Sequence, residues 1–128
     1  MPAPCSYDYA VIRVVPRVER EEFVNVGVIV ACQDSEFLEA RIEIDAERLL
    51  ALDPGIDLAT VREHLATIPA ICAGGAAAGA LGRLSRRERF DWLTAPRSAL
   101  IQTSAVHAGR CDDAEAVIEH LMQTMVRR

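Results

Sequence analysis

The chain has 128 residues, 51% of them hydrophobic, which is material for one core of its own without disulfides or a structural metal. Asp and Glu number 19 against 14 basic residues, and the formal charge of −5 has the wrong sign for a domain that binds nucleic acid by neutralising phosphates. Every basic residue is arginine, and the lack of lysine excludes Schiff-base chemistry, pyridoxal attachment and a Walker-type phosphate loop.

The N-terminal half reads as strands. Tyr7–Val15 is rich in β-branched and aromatic residues and stops at Pro16, which cannot donate to a ladder. A short charged turn leads to a second strand, Phe23–Cys32, and a connection of that length favours an antiparallel hairpin. Leu38–Asp45 is a third strand with strict alternation, Leu38, Ala40, Ile42 and Ile44 against Glu39, Arg41 and Glu43. Pairing even residues with even ones aligns Ile12 and Val14 with Val24 and Val26, then Val28 and Val30 with Ile42 and Ala40, giving one apolar face. Val26 should then be buried and Glu39 exposed. Tyr9, Val11, Arg13, Asn25, Gly27 and Ile29 fall on the other face, with Arg41 and Glu43 beyond, and make it mixed.

The next segments read as helices. Asp45 caps Ala46–Leu52, ended by Asp53-Pro54-Gly55, and Asp57 caps a helix carrying Val61, Leu65 and Ile68 that stops at Pro69. Gly74–Gly79 is a loop, and Ser85 with Glu88 forms a capping box ahead of Phe90, Trp92 and Leu93. Beyond Pro96 a fourth strand, Ala99–His107, returns to the sheet. A final helix opens at Asp112 or Asp113 and docks through Val117, Ile118, Leu121, Met122 and Met125. The expected fold is one α+β domain over residues 1–128, a mainly antiparallel sheet of a three-strand meander plus a returning strand, packed with several helices. The stretch Ile71–Leu84 is broken by four glycines and fails as a membrane span. Cys5, Cys32, Cys72 and Cys111 show no C-x-x-C spacing and no secretion leader precedes them, so a reduced, cytoplasmic protein away from membranes is expected.

Arg13 is the most informative single residue, because a guanidinium in the middle of an apolar strand needs a partner. An internal ion pair with Glu22, Glu43 or Asp8 is the first expectation, and an anion hook is the second. If the returning strand lies beside the first, Gln102 and Ser104 join Arg13 and Asn25. With Arg97 they would form an arginine, amide and hydroxyl cluster suited to a phosphate or carboxylate. The same groups could instead tie the returning strand to the helical layer. Catalytic signatures are weak. Ser104 and His107 fall on opposite faces of a strand, and His64 and His120 have no second histidine at metal-ligand spacing. Asp112 and Asp113 read as a helix start and Cys32 as core, so no catalytic residue, metal or cofactor is expected. The arginine-rich stretch Arg83–Arg89 beside Trp92 reads as a solvated helix start, with RNA or an acidic protein as the alternative partner.

The run Tyr7-x-Tyr9-Ala10-Val11-Ile12-Arg13-Val14-Val15-Pro16, followed by Glu22-Phe23-Val24-Asn25-Val26-Gly27-Val28, resembles an uncharacterised bacterial family, the domain of unknown function numbered thirty thirty-seven. Arg86-x-Glu88-Arg89-Phe90-x-Trp92-Leu93 and Pro96-Arg97-Ser98-x-x-Ile101-Gln102-Thr103-Ser104 resemble it too, so that the likeness covers nearly the whole chain. The resemblance implies no activity, cofactor or catalytic residue. It does suggest a partner or a shared pathway, since members are often encoded beside a HipA-like kinase. The leading expectation is a small non-catalytic interaction or ligand-binding domain acting with a partner protein. The alternative is an enzyme acting on a phosphorylated or carboxylated small molecule, and it requires Arg13, Asn25, Arg97, Gln102 and Ser104 to converge on one cleft.

Overall fold

β-Branched residues recur at both even and odd positions of the N-terminal half, and the strands they build are buried on both sides. The computed structural model describes residues 5–127. Strands β1 (Cys5–Val14), β2 (Val24–Cys32) and β3 (Phe37–Ile42) form the antiparallel meander. The chain returns as β4 (Ile101–Thr103) and β5 (His107–Cys111), both antiparallel to β1 on its other side, so the sheet runs β3-β2-β1-β4 with β5 beside the first half of β1. Helices α1 (Ala46–Leu52), α2 (Leu58–Ala73) and α3 (Arg86–Thr94) lie between meander and return, and α4 (Ala114–Leu121) follows β5. The fold is α+β, and no helix among the described residues is long and apolar enough to cross a membrane.

The even-with-even register holds only beside the hairpin turn, where Val14 faces Val24. A β-bulge then intervenes. Arg13 faces Asn25 but Ile12 faces Gly27, so Val26 is the extra residue, and from there even residues face odd ones. On the next strand Gly27 faces Ile42 and Ile29 faces Ala40, correcting the expected Val28 and Val30 pairings. A Cβ on Gly27 would fall inside contact distance of the Arg41 carbonyl, so the bulge brings β3 close at a position only glycine fills.

The slip divides the valines between two cores. Ile12, Val14, Val24, Val26 and Ile29 pack beneath α1, α2 and α3 with Leu49, Leu65 and Phe90. Val11, Val28 and Val30 pack on the opposite face beneath α4 with Ile118, Leu121 and Met122. Val26 is fully buried and Glu39 exposed, as expected, while the second face is apolar in its centre and polar at one end.

Local caps form where the sequence places them. Asp45, Asp57 and Asp113 accept from the backbone N–H of Arg48, Thr60 and Glu115, and Ser85 and Glu88 bond reciprocally. Three expectations are corrected. Helix α2 runs through Pro69 to Ala73, because Ile71 and Cys72 are buried beyond it and offset the lost hydrogen bond. The returning strand breaks in two after Thr103, where Ser104 Oγ accepts from the Val11 N–H at 2.8 Å and donates to the Ala105 carbonyl at 2.9 Å. After α4 a π-helical turn, Met122–Val126, advances the helix phase by one residue, so Val126 is buried and Met125 is 38% exposed.

Ion pairs fasten the C-terminal end of this segment. Arg127 donates to Glu43 at 2.6 Å and to Glu119 at 2.5 Å, and Arg41 donates to Glu119 at 2.7 Å. The hydrogen bonds from Arg127 are the main cause that holds both carboxyls below the usual carboxylate range. A lowered folded-state pKa contributes stability that is present above the unfolded carboxylate range and is lost as pH falls through the lowered values. The melting temperature should therefore decline on acidification below the ordinary range of glutamate. Arg127→Met should show a shallower decline, and equal slopes in the two proteins would mean that the clamp contributes nothing. The pairs are exposed, so the effect is small.

Candidate functional site

Arg13 projects from β1 at the polar end of the second face, between Gln102 of β4 and Asn25 of β2 in the register of the sheet. The expected ion pair is not formed. Glu22 binds Arg20, Glu43 binds Arg127, and Asp8 binds Arg87 at 2.5 Å. Position explains this, since Asp8 has the opposite strand parity to Arg13 and Glu43 lies just past β3, two strands away. The guanidinium instead lies 4.2 Å from the centroid of the Phe23 ring, and its buried Nε has no hydrogen-bond partner. Cation–π attraction offsets part of the desolvation of the charge without neutralising it.

A cavity of about 450 Å³ opens at this point, lined by Arg13, Glu21, Phe23, Arg97, Ser98 and Gln102 among others. Arg97 follows α3 and is anchored there. Its Nη2 donates to the Trp92 carbonyl at 2.5 Å, its Nε to Ala95 at 3.3 Å, and its guanidinium lies 4.8 Å from the Trp92 ring centroid. These contacts leave its remaining N–H donors available. Gln102 spends one amide hydrogen on the Ala99 carbonyl at 2.9 Å and keeps the other.

Three of the five expected residues, Arg13, Arg97 and Gln102, thus line one cavity. Asn25 is beside Arg13 in register, but its Nδ2 donates to the Met125 carbonyl at 3.0 Å, which ties β2 to the π-helical turn. Ser104 is committed to the strand break and contributes no hydroxyl here. Sequence reasoning missed Phe23, Glu21 and the role of Trp92. Phe23 has the strand parity of Arg13 and Asn25, which was the available signal. Trp92 falls off the Phe90–Leu93 stripe by helical phase and is 43% exposed. Glu21 ends a 3-10 turn, Val18–Arg20, in a left-handed conformation with φ 57° that no sequence signal marks.

A larger cavity, about 660 Å³, lies between the start of β1, the β2–β3 turn and the start of α3, and Arg86 and Arg87 line it. Its arginines do not stand alone, because Arg87 pairs with both Asp8 and Asp91, and Asp34 and Glu36 also line the cavity. The stretch Arg83–Arg89 is not a continuous basic patch either. Arg89 is 7% exposed and turns inward over Gly74, where φ is 75° and a Cβ would overlap the guanidinium. Burial raises the nearby Cys72 thiol to about 12. Among the described residues no group of His, Cys, Asp and Glu is placed to hold a metal ion.

No curated protein and no solved structure matches the chain. The family model described as "Protein of unknown function (DUF3037)" matches residues 9–126, and the strand, turn and α3 blocks that build the Arg13 cavity all fall within that span: the chain belongs to this family.

Proposed function

We infer that the chain is a non-catalytic binding domain, which holds an anionic group of a partner in the Arg13 cavity. The observation that carries this reading is the Arg13 guanidinium itself, half-buried, without an ion pair, and sharing a cavity with Arg97 and Gln102. A HipA-like kinase is the partner that family membership suggests, and a cytoplasmic location accords with it. The enzyme reading is weaker, since Ser104, the hydroxyl it would have used, is bonded to Val11 and Ala105.

Arg13→Met separates a ligand hook from a structural cation. With no ion pair to break, the variant should melt at or above the temperature of the parent. Inorganic phosphate should raise the melting temperature of the parent, with stabilisation of about 2.7 kcal/mol when phosphate is a hundredfold above its Kd. It should leave Arg13→Met unmoved. Destabilised Arg13→Met, or a phosphate response equal in both proteins, would overturn the reading.

A further inference from the structure

Among the described residues strand β4 ends the sheet, and its pairing with β1 uses only one of its edges. The Leu100 carbonyl accepts from Val15 and the Ser104 N–H donates to Val11, so in an antiparallel ladder the N–H and C=O groups of Ile101 and Thr103 point outward. The two faces beside this edge differ sharply. On the second face Gln102 borders the Arg13 cavity. On the first face lies a mainly apolar groove of about 260 Å³, lined by Ile68, Trp92, Leu93, Leu100 and Ile101. Arg97 and Gln102 border both, so the two hollows straddle one open edge.

We propose that an extended, phosphorylated segment of a partner protein adds to β4 as a further strand, its phosphate in the Arg13 cavity and the adjacent apolar side chain in the Trp92 groove. The proposal rests on the anion-binding reading and goes beyond it. Successive side chains of a strand point to opposite faces, so one dipeptide, an anion next to an apolar residue, fills both hollows at once. Main-chain hydrogen bonds to Ile101 and Thr103 give affinity, and the two side-chain sites give specificity. Charge selects the phosphate, because two guanidinia suit a dianion better than a single carboxylate. Glu21 is the acidic group lining the cavity, and its like charge opposes the phosphate there, so removing it should strengthen binding. The opposite edge, β3, does not offer this, since Arg41 there is already held by Glu115 and Glu119.

The probe is a fluorescein-labelled peptide, Thr-Val-phosphoSer-Leu-Thr-Val, titrated against the intact chain. It should bind about tenfold or more tightly than its unphosphorylated twin, a difference that Arg13→Met should abolish and Glu21→Gln should enlarge. Two further versions carry backbone N-methyl groups on alternate residues, one set along each edge. One should lose about tenfold in affinity, since it can no longer donate to β4, while the other keeps its binding. Thr103→Pro removes an outward N–H that β1 does not use and should weaken the peptide without altering the melting temperature. Equal binding of both N-methylated peptides overturns strand addition even if Thr103→Pro fails to fold. So does an oligouridine that binds more tightly than the phosphopeptide. If phosphate protects the parent against melting and the peptide adds nothing to phosphate alone, the cavity reading stands and strand addition falls. If phosphate fails as well, both fall.

Discussion

Val26→Asp should yield no soluble, folded protein. Val26 is fully buried, and as the bulged residue of β2 it points into the core shared by Ile12, Val14, Leu49 and Phe90. Burying an unpaired charge costs several kcal/mol even after the group shifts toward neutrality, against a net stability of about 5–15 kcal/mol for a domain of this size. The cost falls at a bulge, where the local ladder is already interrupted and cannot open to admit water without losing the pairing of β2 on both sides. The soluble fraction and the circular dichroism of the variant decide the matter. A Val26→Asp protein that folds and melts like the parent would mean that the bulge turns this side chain outward, and the division of the sheet into two cores would be wrong. Val26→Ala is the control. It creates a small cavity without a charge, and should fold with a stability loss of about 1–3 kcal/mol.

The elements that sequence reasoning placed well are those whose physics is local. A cap needs only a side-chain oxygen and a backbone N–H two or three residues on, and Asp45, Asp57, Ser85 and Asp113 carry that information in themselves. Strand pairing is different. In β2 the run from Val24 to Val30 offers β-branched residues on both parities, so alternation cannot say where a bulge falls, and the slip at Val26 depends on the close approach of β3 at Gly27. Helix α2 passes Pro69 for a similar reason, since burial of Ile71 and Cys72 is a tertiary gain that local propensity does not contain.

The site shows the same division. That Arg13 was costly in a strand could be seen from its neighbours, but whether a carboxylate met it depended on what three acidic residues paired with instead: Glu22 took Arg20 two positions away, and the other two found distant partners. Asp8 found Arg87, and Glu43 found Arg127, each 79 or more positions away in the chain. The convergence of Arg13, Arg97 and Gln102 followed from a strand return that the sequence suggested. The absence of Ser104 from that set followed from a strand break that it did not.

Leu121→Ala should cost about 2–5 kcal/mol, while Met125→Ala should change stability by less than about 0.5 kcal/mol. An uninterrupted α-helix with Ile118 and Leu121 inward would turn Met125 inward as well, at the next helical repeat. The π-helical turn inserts one residue into that repeat, so the inward position passes to Val126 and Met125 is carried toward solvent. Leu121 lies at the junction of the two, 4% exposed against Val11, Val28 and Val30, and is the residue on which docking of α4 depends most. An eight-residue helix has little stability of its own, so losing this contact weakens the whole segment rather than one side chain. Denaturant unfolding of both variants gives the test. Equal losses at Leu121 and Met125 would show that the helix continues as a regular α-helix past Leu121. A Leu121→Ala midpoint unchanged from the parent would mean that α4 stands off the sheet and leaves Val28 and Val30 for another chain to cover.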